Sequence, residues 1–169
     1  ITFFHRDPTE PRCTLCKEDK VTITVTEGAI SHELDVCEVY AQDLQEKLQT
    51  IANDPNFEIV SLKGYRSGQS YSGRTKYGQH AYGAAVDINR AYNGLHDCPG
   101  GSCTPLTSTQ FSLRGGSKNP THNENVGVGK TITKHTIVYT EMKGMGWHWG
   151  GDWTTNQRDY MHFSNLENK

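Results

Sequence analysis

Four residues in this chain have the types and the order to hold a metal ion and work beside it. His80 and Asp87 close the ends of His80-Ala81-Tyr82-Gly83-Ala84-Ala85-Val86-Asp87, and Asp159 and His162 lie in Asp159-Tyr160-Met161-His162-Phe163. Two imidazoles and one carboxylate would supply three donors to a zinc ion and leave a fourth position open. That is the arrangement of a catalytic zinc, whereas structural sites close all four positions. Zinc lowers the pKa of its water to about 7, and a nearby base must take the proton. Asp159 is the carboxylate available for that. A set of two His and one Asp also keeps net positive charge on the ion, which favours hydroxide and polarises a carbonyl. The chemistry expected is metal-assisted hydrolysis.

Those residues need elements that turn them toward one point. His80 and Asp87 are an odd number of positions apart and would face opposite sides of an unbroken strand. Gly83 offers the bend that brings them together. Asp159 and His162 diverge in the same way, so a turn is predicted at Arg158–Tyr160, with His162 opening a strand and Asp159 overhanging the metal. Ala84–Asn89 and Tyr160–Ser164 are the strands that carry the donors. Val21–Thr26 alternates apolar with Thr and predicts a half-buried strand. Phe57–Leu62 alternates likewise. Val36, Val39, Tyr40, Leu44, Leu48 and Ile51 recur at helical spacing, predicting a helix over Val36–Ile51 that Asp35 could cap and Asn53-Asp54-Pro55 ends. A short helix is predicted within Thr131–Lys143. Residues 1–20 read as an irregular polar arm, 68–79 as a loop, and 93–129 as a long Gly/Pro/Asn/Ser loop of the kind that is usually functional.

A length of 169 residues fits a single domain. It is enough to bury one core without cross-links. With 17 basic and 19 acidic residues the net charge is −2, and no basic block stands out, which argues against nucleic acid as a partner. No apolar run approaches the roughly 18 residues of a membrane span. The chain begins at Ile1, which is read as a processed or trimmed start, any signal peptide being already gone. Five cysteines, at 13, 16, 37, 98 and 103, predict two disulfides and one thiol in an exported protein. Cys98 and Cys103 enclose a tight-turn sequence suited to a small disulfide loop. For Cys13-x-x-Cys16, a disulfide to Cys37 is simpler than half of a structural zinc site.

Three segments carry a family resemblance. Gly64-Tyr65-Arg66-Ser67, His80-x-x-Gly83-x-Ala85-x-Asp87-Ile88, and Trp149-Gly150-Gly151-Asp152-Trp153 followed by Asp159-x-x-His162-Phe163 resemble the motifs of peptidoglycan-cleaving zinc peptidases. That group holds D-alanyl-D-alanine carboxypeptidases of the vancomycin-resistance type and L-alanyl-D-glutamate endopeptidases, and its fold is similar to the Hedgehog signalling domain. The resemblance runs in order from about Glu38 to Ser164. It departs at Gly78, where the family usually has Ser two places before its first His.

What the resemblance implies is specific. His80, Asp87 and His162 would ligate Zn2+. Asp159 would be the catalytic base. Arg66 would bind the polarised carbonyl or a substrate carboxylate, a task a planar guanidinium suits. Ser67 and Trp149 would join Arg66 in binding substrate. The fold expected is α+β, a small antiparallel sheet carrying the zinc site with helices on one face. The substrate would be a peptidoglycan stem peptide, which places the protein outside the cell or in the periplasm, at the wall. The competing reading is a non-catalytic, zinc-bearing binding module of Hedgehog-like fold, and the presence of both Asp159 and Arg66 favours the enzyme. His148, between two tryptophans, is expected beside the site or at the surface, and His5, His32, His96, His122 and His135 are assigned no role.

Overall fold

A computed structural model describes residues 6–67, 77–105, 122 and 128–167. Parts of the expected 1–20 arm, 68–79 loop and 93–129 loop therefore lie outside the described residues.

The alternating segment forms β1 (Lys20–Glu27), which pairs antiparallel with β2 (Ile30–Cys37) across a two-residue turn. Gly28 takes the positive φ such a turn demands. Ile23, Val25, Leu34 and Val36 turn inward from the hairpin. Helix α1 (Glu38–Ala52) lies on them with Leu44, Leu48 and Ile51 fully buried. It starts two residues later than its apolar period indicates, because β2 runs on to Cys37. Asp35 consequently stays in β2 and does not cap the helix; its carboxylate accepts from Thr22 Oγ1 at 2.5 Å. One turn apart on α1, Gln45 and Gln49 each exchange hydrogen bonds with the backbone of β1, at Thr24 and Thr26. Side-chain amides thus satisfy a strand edge that would otherwise be open.

The second sheet has four strands: β3 (Leu62–Lys63), β4 (Ala85–Ile88), β7 (His148–Trp149) and β9 (His162–Ser164), in the order β3-β4-β9-β7 and antiparallel throughout. The predicted strand Phe57–Leu62 shrinks to its last residue plus Lys63. The amides before it bond elsewhere: Ile59 N–H to Glu27, and Val60 and Ser61 N–H to the Asn89 side chain. A third small sheet orders β6 (Thr104–Pro105), β5 (Leu95–Asp97) and β8 (Gln157–Asp159). Helix α2 (Ile137–Gly144), shorter than the segment that signalled it, packs on α1 and β7. The main core joins Leu44, Leu48, Ile51, Val86, Ile88, Trp147, Trp149 and Phe163, so hairpin, helices and four-stranded sheet share one apolar interior.

Disulfides link Cys13 to Cys37 and Cys98 to Cys103, leaving Cys16 as the thiol. The arm is thereby stapled to the junction of β2 and α1. Among the described residues no helix is long and apolar enough to cross a membrane. The chain is mixed α/β with small antiparallel sheets, as expected at that level.

Candidate metal centre

Register builds the centre. Asp87 of β4 sits directly across from His162 of β9, and opposed residues of an antiparallel pair project to one face. His80 reaches the same face from a 3-10 turn, Gln79–Tyr82, which ends on Gly83 in the left-handed conformation. A Cβ at Gly83 would meet Cys37 N at 2.6 Å, in a backbone conformation few side chains adopt. The bend expected at Gly83 is thus a helical cap, and it lets His80 and Asp87 converge despite their odd spacing.

His80 Nε2 lies 3.1 Å from Asp87 Oδ1, His162 Nδ1 lies 3.3 Å from that oxygen, and the two ring nitrogens are 3.3 Å apart. The three atoms make a nearly equilateral triangle. Donors at zinc bond lengths of about 2.0–2.1 Å in a tetrahedron stand roughly 3.3 Å from one another, so the triangle has the dimensions of one tetrahedral face. The hydrogen bonding agrees. His80 Nδ1 is 2.8 Å from the carbonyl of Gly64, which can only accept. Nδ1 therefore donates there, which orients the ring and turns Nε2 toward Asp87 and His162, the point at which a cation would be held. Among the described residues this is the one group of three such side chains close enough to hold a metal.

The surroundings are charged on one side and apolar on the other. Asp87 is 5 % exposed, and its second oxygen accepts a 2.6 Å hydrogen bond from Arg66 Nη2. Burial would raise this carboxyl, but His80 and His162, through charge and hydrogen bonds, hold it well below the ordinary carboxylate range. Arg66 is about half exposed, so part of its donor fork faces solvent. Its backbone N–H also bonds His80 O at 3.1 Å. Ser67 is exposed next to it.

Asp159 does not overhang the site from a turn, as its spacing predicted. It is the last residue of β8, across from Leu95, and the turn falls on Tyr160–Met161. β8 and β9 belong to different sheets, and that change of sheet brings Asp159 into the field of Asp87, His162, Arg66 and Arg90. Its Oδ1 is buried without a hydrogen-bond partner among the described residues. Burial first, then the Asp87 charge, pushes its carboxyl up to about 7, against the pull of His162, Arg66 and Arg90. Gly150 permits the approach: a Cβ there would lie 2.1 Å from Asp159 O.

Trp149, expected among the substrate-binding residues, lies in the core. Its side chain is 3 % exposed, packs in tilted and stacked contact with Tyr160 and Phe163, and donates its indole N–H to Tyr160 O at 2.8 Å. It braces the Asp159–His162 turn from the core. Trp153 is the tryptophan at the site, edge-on to His162 with ring centres 5.5 Å apart. His148 lies on β7 across from Ser164 and is not one of the three donors. Neither the grip of the Gly64 carbonyl on His80 nor the Arg66–Asp87 pair is legible in the sequence. A backbone carbonyl carries no side-chain signal, and the pair depends on β3 lying beside β4.

Three donors that span a tetrahedral face, with a buried carboxylate near them, could hold a metal ion. The model of the D-alanyl-D-alanine carboxypeptidase family matches residues 72–165, more than half of the chain and a span that contains the three donors and Asp159, and the chain belongs to that family. No curated protein and no solved structure gives a significant match.

Proposed function

We propose that this protein hydrolyses peptide bonds in peptidoglycan stem peptides with a zinc ion held by His80, Asp87 and His162, working outside the cytoplasm at the cell wall. The observation that carries the reading is the triangle of donor atoms at 3.1–3.3 Å beside the buried carboxyl of Asp159. Membership of the carboxypeptidase family supports the substrate class. A zinc ion there would supply Lewis acidity, which ionises water near neutral pH and polarises a carbonyl.

The chain's own residues do the rest. Asp159 takes the proton of the attacking water and later gives it to the departing amine; a carboxyl raised toward neutrality suits both transfers. Arg66 holds Asp87 through Oδ2, which keeps Oδ1 turned to the other two donors. Its remaining N–H groups face the solvent side, where they meet the oxygen that becomes negative during attack, or the substrate's own carboxylate. Gly64 fixes the His80 ring by accepting from Nδ1. Trp153 walls the site beside His162. Ser67 is placed to meet substrate next to Arg66.

The test is digestion of muropeptide-defined peptidoglycan by zinc-loaded protein, read by mass spectrometry with a chelator control. Chelator-sensitive loss of a terminal D-Ala establishes a carboxypeptidase, and a cut between L-Ala and D-Glu an endopeptidase. Stoichiometric zinc with every stem peptide left intact would sink the enzymatic reading and leave a metal-bearing binding module.

A further inference from the structure

A buried polar cluster joins four distant parts of the chain. Asp7, of the N-terminal arm, is fully buried, and Gln79 and Asn165 are each 8 % exposed. Gln79 Nε2 donates to Asp7 Oδ1 at 3.1 Å and to Asn165 Oδ1 at 2.6 Å. Asn165 Nδ2 donates to Asp7 Oδ2 at 2.7 Å and to the Tyr40 hydroxyl of α1 at 2.8 Å. Both amides thus use both of their N–H bonds. Asp7 Oδ1 also accepts from Thr9 N–H at 3.0 Å, and Asp7 N–H bonds Cys13 O at 2.8 Å. A buried network with its donors satisfied rigidifies what it touches, and a partly broken one is costly.

What it touches is the metal centre's frame. Gln79 immediately precedes His80, and neighbouring side chains of a 3-10 turn point roughly 120° apart, so Gln79 anchors in the scaffold while His80 faces the site. Asn165 follows β9, three residues after His162, and its N–H bonds Ala84 O at 3.2 Å. The same turn is gripped on its backbone, where Cys37 N–H donates to Gly83 O at 2.8 Å, and Cys37 is the disulfide partner of Cys13 in the arm. The arm therefore reaches the His80 turn twice, through Asp7 and through Cys13–Cys37.

The geometry points to Gln79, Asn165 and Asp7 as positioning residues: the N-terminal arm is a working part of the metal centre, locking His80 and His162 into their mutual placement through a buried amide–carboxylate network. This rests on the metal reading above, and it concerns residues that contact neither metal nor substrate.

Titration of the metal-free protein with Co2+, followed by its visible absorption, and with Zn2+ by competition against a chromophoric chelator, tests it. Gln79→Ala, folded by circular dichroism, should bind both ions about 10-fold more weakly, with a changed cobalt spectrum, as outer partners of metal ligands do when removed. Val25→Ala, in the hairpin core, lowers the melting temperature without touching the network and should keep the parent's affinity and spectrum. Parent-like binding by Gln79→Ala overturns the inference. Should Gln79→Ala fail to fold, Tyr40→Phe removes a single hydroxyl acceptor. Two- to threefold weaker binding, on the order expected for one peripheral contact, then supports the inference, and unchanged binding overturns it. A parent protein that takes up neither ion overturns the metal reading instead.

Discussion

Asp159 should cost the metal-free protein stability, and replacing it should return that stability in a pH-dependent way. Its carboxyl rises from 3.8 to about 7 on folding, chiefly by burial and then by the Asp87 charge. Between those values the folded state binds more protons than the unfolded one, so stability falls as pH rises through that window and the loss is complete above it. At 1.36 kcal/mol per pKa unit the full loss is on the order of 4 kcal/mol. Asp159→Asn keeps the shape of the neutral acid and cannot ionise. The metal-free variant should match the parent near pH 3 and exceed it near pH 8, by up to about 4 kcal/mol or roughly 10 °C in melting temperature for a chain of this size. The assay is thermal and urea unfolding of chelator-treated parent and variant from pH 3 to 8. Zinc should narrow the difference, because a cation beside Asp159 offsets the Asp87 charge and favours its ionised form. A variant no more stable than the parent at pH 8, or a difference that ignores pH, would refute the claim that this carboxyl is held up by its surroundings.

Other outcomes follow from the same geometry. Asp159→Asn should keep zinc and lose about 10²–10⁴-fold in kcat, with the acid limb of the parent's pH–rate profile gone; turnover near the parent's would remove Asp159 as the base. Zinc at a hundredfold excess over its Kd should stabilise the parent by about 2.7 kcal/mol, and His162→Ala should abolish that thermal shift together with activity. Arg66→Met should weaken zinc binding by about 10-fold, because Asp87 loses the partner on its second oxygen. Isothermal titration with zinc checks that value, and parent-like affinity would leave Arg66 to the substrate alone.

Much of the local structure is legible in the chain because it depends on near neighbours. Alternation over Val21–Thr26 and the helical period from Val36 to Ile51 each mark a buried face; the first became β1 and the second α1, which begins at Glu38 because β2 runs on to Cys37. Phe57–Ile59 alternates as well, yet Glu27 and Asn89 side chains took the amides a neighbouring strand would have bonded, and no local pattern reports such remote partners. Trp149 reads like Trp153 in sequence, and only the packing of β7 against β9 and α2 put one in the core and left the other beside His162.

The sequence by itself determined which chemistry is available: two imidazoles, one carboxylate donor, a second carboxylate and a guanidinium, in an order that resembles one family of peptidases. Side-chain type and chain order are enough for that. The tertiary structure alone decided which atoms meet. The opposition of Asp87 and His162 is a register between strands distant in the chain, and the Nε2–Oδ1–Nδ1 triangle exists only once the Gly83 cap turns His80 onto that face. The raised carboxyl of Asp159 follows from burial beside another carboxylate, and the grip of Asp7 on Gln79 and Asn165 from an arm that begins far from both. These are properties of long-range closure and desolvation, which no stretch of neighbouring residues encodes.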